Sequence, residues 1–299
     1  MALTRRARNF FALRVEIAAE AAEAVGEVMR SKAKAGLIEE QDAKKRTAAL
    51  TGFFSTKREA EQAAAAVEES LRRLQGQLEV GKFSVTWRAV GTADWEREWR
   101  KSWSAIEAAP GLIIKPTWSR RKTRPGEVVI ELYPSAAFGT GEHPTTLQCL
   151  RAIESYMRPG WEVLDVGAGS GILAIAAAKL GATRVVAVDN DIRALHCARE
   201  NVERNGLQDT VILIASHLVS AARFQADFLV ANLAAEPLEE LADSCSGALR
   251  AGGIFVAAGI TSEKAGPSKR SFSQRGLAVI ERMDEQGWTA FVCCLGNRR

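Results

Sequence analysis

Histidine and cysteine are scarce in this sequence, and neither is arranged for chemistry. The three histidines, His143, His196 and His217, fall in no H-x-x-x-H or H-E-x-x-H pattern, so the spacing that lets one helix face present two zinc ligands is missing and no protein-bound metal is expected. The five cysteines, Cys149, Cys197, Cys245, Cys293 and Cys294, are odd in number, scattered and without a C-x-x-C pair. That argues against both a disulfide framework and a zinc site and leaves reduced, mostly buried thiols as the expectation. Long apolar runs are lacking as well. The longest, within Ile172 to Leu180, reads as an alanine-rich helix flanked by glycines rather than a membrane span. Near the N-terminus, Phe10 to Ile17 follows Arg5, Arg6 and Arg8 but is interrupted by Arg14 and Glu16, so it makes no signal-peptide core. A cytoplasmic protein without a membrane partner is the expectation.

What is present is the composition of a soluble globular protein: 47% hydrophobic residues over a chain of 299, enough for one large domain or two ordinary ones. The charge is uneven. Residues 1–131 hold 24 Lys/Arg against 18 Asp/Glu, and residues 132–299 hold 16 against 18. A basic N-terminal half could help meet an acidic or RNA-associated partner, but a solvated surface of mixed charge is the preferred reading.

The first ninety residues alternate between strand and helix patterns. Phe10 to Ile17 reads as a strand and Ala18 to Arg30 as a helix; Gly36 to Asp42 and Thr47 to Phe54 flank the turn Ala43 to Arg46 as a hairpin. Thr56, with Glu59 three residues on, has the form of a capping box opening a helix to about Leu74, and Phe83 to Val90 closes the region as a strand. The order β-α-β-β-α-β is the split arrangement of ferredoxin-like domains, which leaves one sheet face for a partner. Residues 91–131 read as a connector. In it Trp95, Trp99 and Trp103 are spaced along one helical stripe, as packed aromatics more often are than a stacking platform, and the basic run Arg120 to Arg124 looks like an exposed hairpin turn.

From Glu162 onward the pattern becomes strand, turn, helix, repeated, as in a parallel α/β sheet, and Leu277 to Met283 with Trp288 to Leu295 form a terminal hairpin. Residues 132–299 are thus expected to be a Rossmann-like domain whose parallel sheet ends in an antiparallel hairpin, the methyltransferase version of the fold rather than the dehydrogenase one. Glu162 to Gly171 reads E-V-L-D-V-G-A-G-S-G, a strand running into a glycine turn that opens a helix. Gly167 and Gly169 let the backbone approach a ligand that a Cβ would exclude. The third glycine of a dinucleotide fingerprint would fall at Ile172, so the turn suits a ligand without pyrophosphate, such as the amino-acid end of S-adenosylmethionine. Asp189 follows the next strand, where a carboxylate can accept both ribose hydroxyls; the competing role is a helix N-cap, which Asp191 can fill instead. Asp165 is expected to support the turn from beneath or to meet the ligand's ammonium through water. Asn232 in V-A-N-L ends a further strand, beside the position of a reactive methyl, or serves as a turn-capping Asn.

Ala137 to Thr146 reads A-F-G-T-G-E-H-P-T-T. With the glycine turn, V-D-N-D at Val188 to Asp191, R-E-N-V-E-R-N-G at Arg199 to Gly206, V-A-N-L at Val230 to Leu233 and D-W-E-R-E-W at Asp94 to Trp99, it resembles the bacterial methyltransferases of large-subunit ribosomal protein L-eleven. Roughly residues 94–260 carry the resemblance by motif. It implies a class I methyltransferase using S-adenosyl-L-methionine, with Thr146, Gly167, Asp189 and Asn232 at the ligand and Phe138 and Gly139 in a loop closing over it. It implies the ribosomal protein as substrate, methylated on lysine or N-terminal amines, and an N-terminal domain that presents it. No direct nucleic-acid contact is required and nothing demands more than a monomer. Glu142 departs from the small or neutral residue that the family more often has there. The alternatives are a lysine methyltransferase of another protein, a small-molecule N-methyltransferase, an NAD-dependent oxidoreductase disfavoured by Ile172 and the terminal hairpin, and a ribosome-binding protein with a silent pocket. His143 is a candidate proton acceptor or, before Pro144, a structural loop histidine.

Overall fold

The computed structural model describes residues 10–33, 37–42, 45–75, 83–91, 103–133, 141–219 and 225–296. The chain divides into two compact units, Met1–Trp103 and Ser104–Arg299. Phe138 and Gly139 lie outside the described residues, as do Trp95 and Trp99.

The first unit is built on β1 (Phe10–Ala18), whose alternating Leu13, Val15 and Ile17 are fully buried on one face. After a single 3₁₀ turn come α1 (Ala22–Lys32), β2 (Leu37–Asp42), β3 (Thr47–Phe54), α2 (Lys57–Leu74) and β4 (Ser84–Val90). The sheet order is β2-β3-β1-β4, with every neighbouring pair antiparallel. Helix α2 starts where Thr56 Oγ1 accepts from Glu59 N at 3.2 Å while Glu59 Oε2 accepts from Thr56 N at 3.1 Å, two otherwise orphaned donors satisfied reciprocally. Val25 and Met29 of α1 and Ala63, Val67 and Leu71 of α2 share one core with the inward side chains of β1 and with Leu50 and Phe54. The opposite sheet face carries Arg14, bonded to Glu16 and to Glu40 at 3.1 Å each.

In the second unit, β5 (Ile106–Ala109), β6 (Leu112–Pro116) and β7 (Val128–Leu132) form a small sheet, β5 and β6 antiparallel and β6 and β7 parallel. The stretch expected as a connector therefore supplies regular structure from Ile106 on, and the basic run at Arg120 is not a hairpin turn. The strands on its two sides run parallel, so it is a crossover. Glu127 ties that crossover shut by accepting from Arg121 at 2.6 and 2.9 Å and from Arg124 N at 2.7 Å.

The remaining elements are α3 (Pro144–Tyr156), β8 (Glu162–Val166), α4 (Ile172–Lys179), β9 (Arg184–Asp189), α5 (Ile192–Arg204), β10 (Val211–Ala215), β11 (Ala226–Asn232), α6 (Ala235–Ala248), β12 (Leu249–Thr261), α7 (Ala265–Gln274), β13 (Leu277–Glu285) and β14 (Trp288–Leu295). They make a seven-stranded sheet in the order β10-β9-β8-β11-β12-β14-β13, parallel from β10 to β12 and closed by β14 running antiparallel to both neighbours. Its inner strands are nearly continuous apolar runs, as a sheet covered on both faces requires. One face holds Leu164, Val186, Leu229 and Phe255 against Leu238, Leu241 and Phe272 of α6 and α7. Phe272 meets Phe255 and Phe291 edge-on at 5.7 and 6.1 Å. At the end of the sheet where β8 begins, Glu162 accepts from Arg184 and Arg250 at 2.6 Å each, and Arg250 also reaches Asp227 at 2.5 Å. These ties hold the strand starts, and the opposite ends carry the site.

Candidate functional site

Strands β9, β8 and β11 are neighbours, so their C-terminal ends place Asp189, the glycine turn and Asn232 side by side in the region where open α/β sheets bind ligands. The turn is sewn to β9 by its backbone: Gly167 N and Ala168 N both donate to Val188 O, at 2.9 and 3.0 Å. Gly167 holds φ at +81°, and a Cβ there would lie 2.6 Å from Leu233 Cδ2, so the turn and the residue after Asn232 touch at a point where only glycine fits. Gly169 N donates to Asp189 Oδ2 and Asp191 N to Asp189 Oδ1, both at 2.9 Å. Each carboxylate oxygen thus keeps a lone pair for an outside donor, and the group is oriented before any ligand arrives. The N-cap of α5 is Asp191, which accepts from Arg193 N at 2.9 Å, so Asp189 is not spent on the helix.

Asp165 lies beneath the turn, wholly buried, and its Oδ2 accepts from Ala174 N at 3.0 Å. Gly171, the N-cap of α4, has no side chain to do this, so the preceding strand supplies the helix's missing acceptor. Oδ1 of Asp165 is buried with no hydrogen-bond partner. Burial first, and the nearby Asp189 charge second, push its carboxyl up to about 7 against the opposing Ala174 bond.

Asn232 Nδ2 points to Thr146 Oγ1 at 3.4 Å, which joins the end of β11 to the buried first turn of α3 and leaves Asn232 Oδ1 as an acceptor. His143 caps that helix: its Nδ1 lies 2.8 Å from Thr145 Oγ1 and accepts from Thr145 N, while its ring packs edge-on to Trp288 at 5.2 Å. The histidine is thereby a structural cap.

Two groups of residues were not foreseen. Asn201, wholly buried, donates to Ser170 O in the glycine turn at 2.9 Å and accepts from Tyr133 N at 2.8 Å. Asn205 exchanges bonds with both backbone groups of Glu131, at 3.0 and 2.7 Å. The two asparagines in R-E-N-V-E-R-N-G therefore tie α5 to the turn and to β7. Gly259 is the other: at φ +92°, it lies so close to β11 that a Cβ would be 2.3 Å from Leu233 O. A glycine inside a strand pattern is a known mark of close backbone approach, and that is the signal that finds it. A surface cavity of about 370 Å³, lined by residues including Gln148, Arg151, Met283 and Glu285 between α3 and β13, contains none of these groups.

Among the described residues no group of three His, Cys, Asp or Glu could hold a metal ion, and no helix is long and apolar enough to cross a membrane. The donor set suits S-adenosylmethionine: a glycine-rich turn against which the amino-acid end can lie, a pre-oriented carboxylate for a ribose diol, and an amide oxygen at the next strand end. Together with this sheet order, that set defines an S-adenosylmethionine-dependent methyltransferase. The model of one family, ribosomal protein L11 methyltransferase (PrmA), matches residues 9–295. The chain is 42% identical to the ribosomal protein L11 methyltransferase of Pelotomaculum thermopropionicum over 76% of its own length and 74% of the relative's, and 36% identical to that of Exiguobacterium over 77% and 74%. A crystal structure of ribosomal protein L11 methylase from Lactobacillus delbrueckii subsp. bulgaricus, 30% identical, superposes with a TM-score of 0.62 over 65% of this chain and all of that one. The chain belongs to the ribosomal protein L11 methyltransferase family.

Proposed function

We propose that this protein methylates amine nitrogens of ribosomal protein L11, lysine side chains or the N-terminus, as a monomer in the cytoplasm and without needing nucleic acid. The observation that carries the reading is the convergence of the Gly167 turn, Asp189 and Asn232 at three adjacent strand ends. In this reading Gly167 and Gly169 pass close to the amino-acid end of S-adenosylmethionine, Asp189 takes its ribose hydroxyls, and Thr146 and Asn232 flank the transfer point. The first unit, with its β-α-β-β-α-β order and both helices on one sheet face, acts as a ferredoxin-like domain that presents the substrate.

When bound, S-adenosylmethionine supplies a methyl group already activated on a cationic sulfur. The protein's task is therefore placement and exclusion of water, effects worth about 7–11 kcal/mol when reacting atoms are held in line. A lysine nitrogen must also be neutral to react, and with a reference pKa near 10.4 that costs roughly 4–5 kcal/mol at pH 7. Asn232 Oδ1, free because Nδ2 is turned to Thr146, accepts an N–H of the amine and so aims its lone pair at the methyl.

The test is incubation of the protein with ribosomal protein L11 and isotopically labelled S-adenosylmethionine, read by mass spectrometry, alongside calorimetry of cofactor binding. The wild type is expected to add methyl groups. Asn232→Ala is expected to lower kcat about 100-fold or more while cofactor Kd moves only a few-fold, the pattern for a contact made chiefly in the transition state. Equal losses in both would remove Asn232 from the chemistry, and a wild type that adds no methyl to the ribosomal protein would refute the substrate.

A further inference from the structure

The cavity between α3 and β13 belongs to no part of the strand-end site, yet one of the side chains lining it is unfinished. Gln148 is wholly buried, and its Nε2 donates to two backbone carbonyls of the terminal hairpin, Met283 O at 3.1 Å and Trp288 O at 3.2 Å. Two acceptors on one side fix which end of the amide is nitrogen. Oε1 is the end left over, buried and with no hydrogen-bond partner among the described residues. We propose that this cavity is a subsite for a lysine or arginine side chain of the protein substrate, close in sequence to the amine that is methylated. The inference rests on the amine-methylating reading above and adds to it a second point of substrate recognition.

Helix periodicity and strand alternation build the cavity. Gln148, Arg151 and Ser155 recur at three- and four-residue spacing along one face of α3. Glu281, Met283 and Glu285 are alternate, half-buried residues of β13. The space between them, about 370 Å³, stands at the low end of the range for small-ligand sites and has room for one long side chain. Gln148 follows Thr146 by two residues, and Thr146 touches Asn232 at 3.4 Å. At a rise of 1.5 Å per residue, Thr146 to Ser155 spans about 14 Å of helix, a length that about four residues of extended polypeptide cover. A substrate whose reacting amine sits at Asn232 therefore brings residues up to about five positions away to the cavity.

The charges on the walls select the occupant. One guanidinium, Arg151, stands among three carboxylates, Glu281, Asp284 and Glu285. Arg151 is spent on Glu285 at 2.6 Å, and Asp284 accepts from Arg282 at 2.7 and 2.8 Å and from Thr289 at 2.6 Å. Glu281 has no ion-pair partner among the described residues; it bonds the neutral Tyr156 hydroxyl, and that bond holds the hydroxyl above its ordinary pKa. The surplus of negative charge repels an anion, and among the described residues no three such groups converge as a metal ion requires. What fits is an organic cation with several N–H donors, one for the Glu281 carboxylate and one for the Gln148 oxygen. A buried acceptor without a donor is costly, and a donor carried into the cavity relieves that cost. Lysine and arginine each supply such a head on an apolar stem, which Ala152 and Met283 can cover.

The experiment measures kcat and KM for ribosomal protein L11, and its calorimetric Kd with S-adenosylhomocysteine present, in the wild type, Glu281→Gln and Ser155→Arg. Glu281→Gln removes the charge and keeps an oxygen for Tyr156. Ser155 is exposed on α3, and an arginine there fills the cavity with the chain's own guanidinium. Each variant should raise both KM and Kd for the ribosomal protein about tenfold, the loss of one contact to a charged group. Their kcat, Tm and cofactor Kd should stay at wild-type values. Charge recognition adds a signature that lost packing lacks: raising salt from about 50 to about 500 mM should weaken wild-type binding of the ribosomal protein more than that of Glu281→Gln. Wild-type KM and Kd in both variants, or the same salt dependence in wild type and Glu281→Gln, overturns the proposal while methylation by the wild type stands. A wild type that methylates nothing on the ribosomal protein overturns the underlying reading and this one with it.

Discussion

Replacing Gly259 with alanine should damage catalysis more than cofactor binding, although no ligand contact is assigned to that residue. Its φ of +92° costs an L-residue about 1–2 kcal/mol. The new Cβ would also sit 2.3 Å from Leu233 O, 2.9 Å from Leu233 C and 3.1 Å from Asn232 Oδ1, where ordinary contact begins near 3.4 Å. Backbone cannot rotate away as a side-chain tip can, so the Asn232–Leu233 peptide must retreat by about 1 Å, and overpacking of this kind costs about 1–3 kcal/mol more. The retreat strains the Leu233 N to Ala258 O bond of 2.9 Å and presses Leu233 toward Gly167. A displacement of about 1 Å at a positioning group lowers kcat about 100-fold, or about 2.7 kcal/mol of barrier. The assay is kcat, cofactor Kd and Tm for Gly259→Ala beside Gly252→Ala. Gly252 lies in the same strand at φ +76° with nothing within 4 Å of its added Cβ, so it bears the conformational strain without the collision. Gly252→Ala should lose some Tm and keep its kcat; Gly259→Ala should lose both. Equal kcat for the two variants, measured where both are folded, would refute the claim that close approach of β12 to β11 fixes the Asn232 amide.

Asp165→Asn tests the buried carboxyl through the pH dependence of stability. The folded-state value near 7 exceeds the ordinary 3.8, so the native state holds a proton that the unfolded chain releases, and wild-type stability drains away as pH rises from about 4 to 7. The drop approaches about 4 kcal/mol and stops above 7. Denaturant unfolding of wild type and Asn variant should show their difference moving in favour of the variant by about that amount across the window; a difference that stays constant with pH would contradict it. Asn201→Ala strands Ser170 O and Tyr133 N at once, and should cost about 2–4 kcal/mol of stability together with a weaker cofactor Kd. Unchanged Kd in a folded variant would confine Asn201 to a structural role.

The groups proposed to face the ligand were readable because each is set by a few neighbouring residues. Glycines after an apolar strand, an acid at a strand end and an amide before a leucine all declare themselves within a ten-residue window, and even the ambiguity between Asp189 and Asp191 could be framed locally. What resolved it was one bond, Arg193 N to Asp191. The groups that hold those residues in place are set by distant partners and leave no local trace. Asn201 meets residues 31 and 68 positions away, and Gly259 is constrained by a strand that only the parallel crossover brings beside it. The basic run at Arg120 shows the same divide from the other side, for turn residues reveal that the chain reverses or crosses but not whether the flanking strands will pair parallel. Helix α7 was missed because A-G-P-S-K-R-S-F-S-Q has little helix propensity and is held by Ala265, Ser268 and Phe272 buried against the sheet. It follows that variation among relatives should be read differently at the two kinds of position. On the proposed reading, a change at Asp189 or Gly167 alters what is bound, whereas a change at Asn201 or Gly259 moves binding groups that are themselves intact. The Gly259→Ala and Gly252→Ala pair separates those cases, since it leaves every side chain of the proposed site in the sequence and alters only where Asn232 stands.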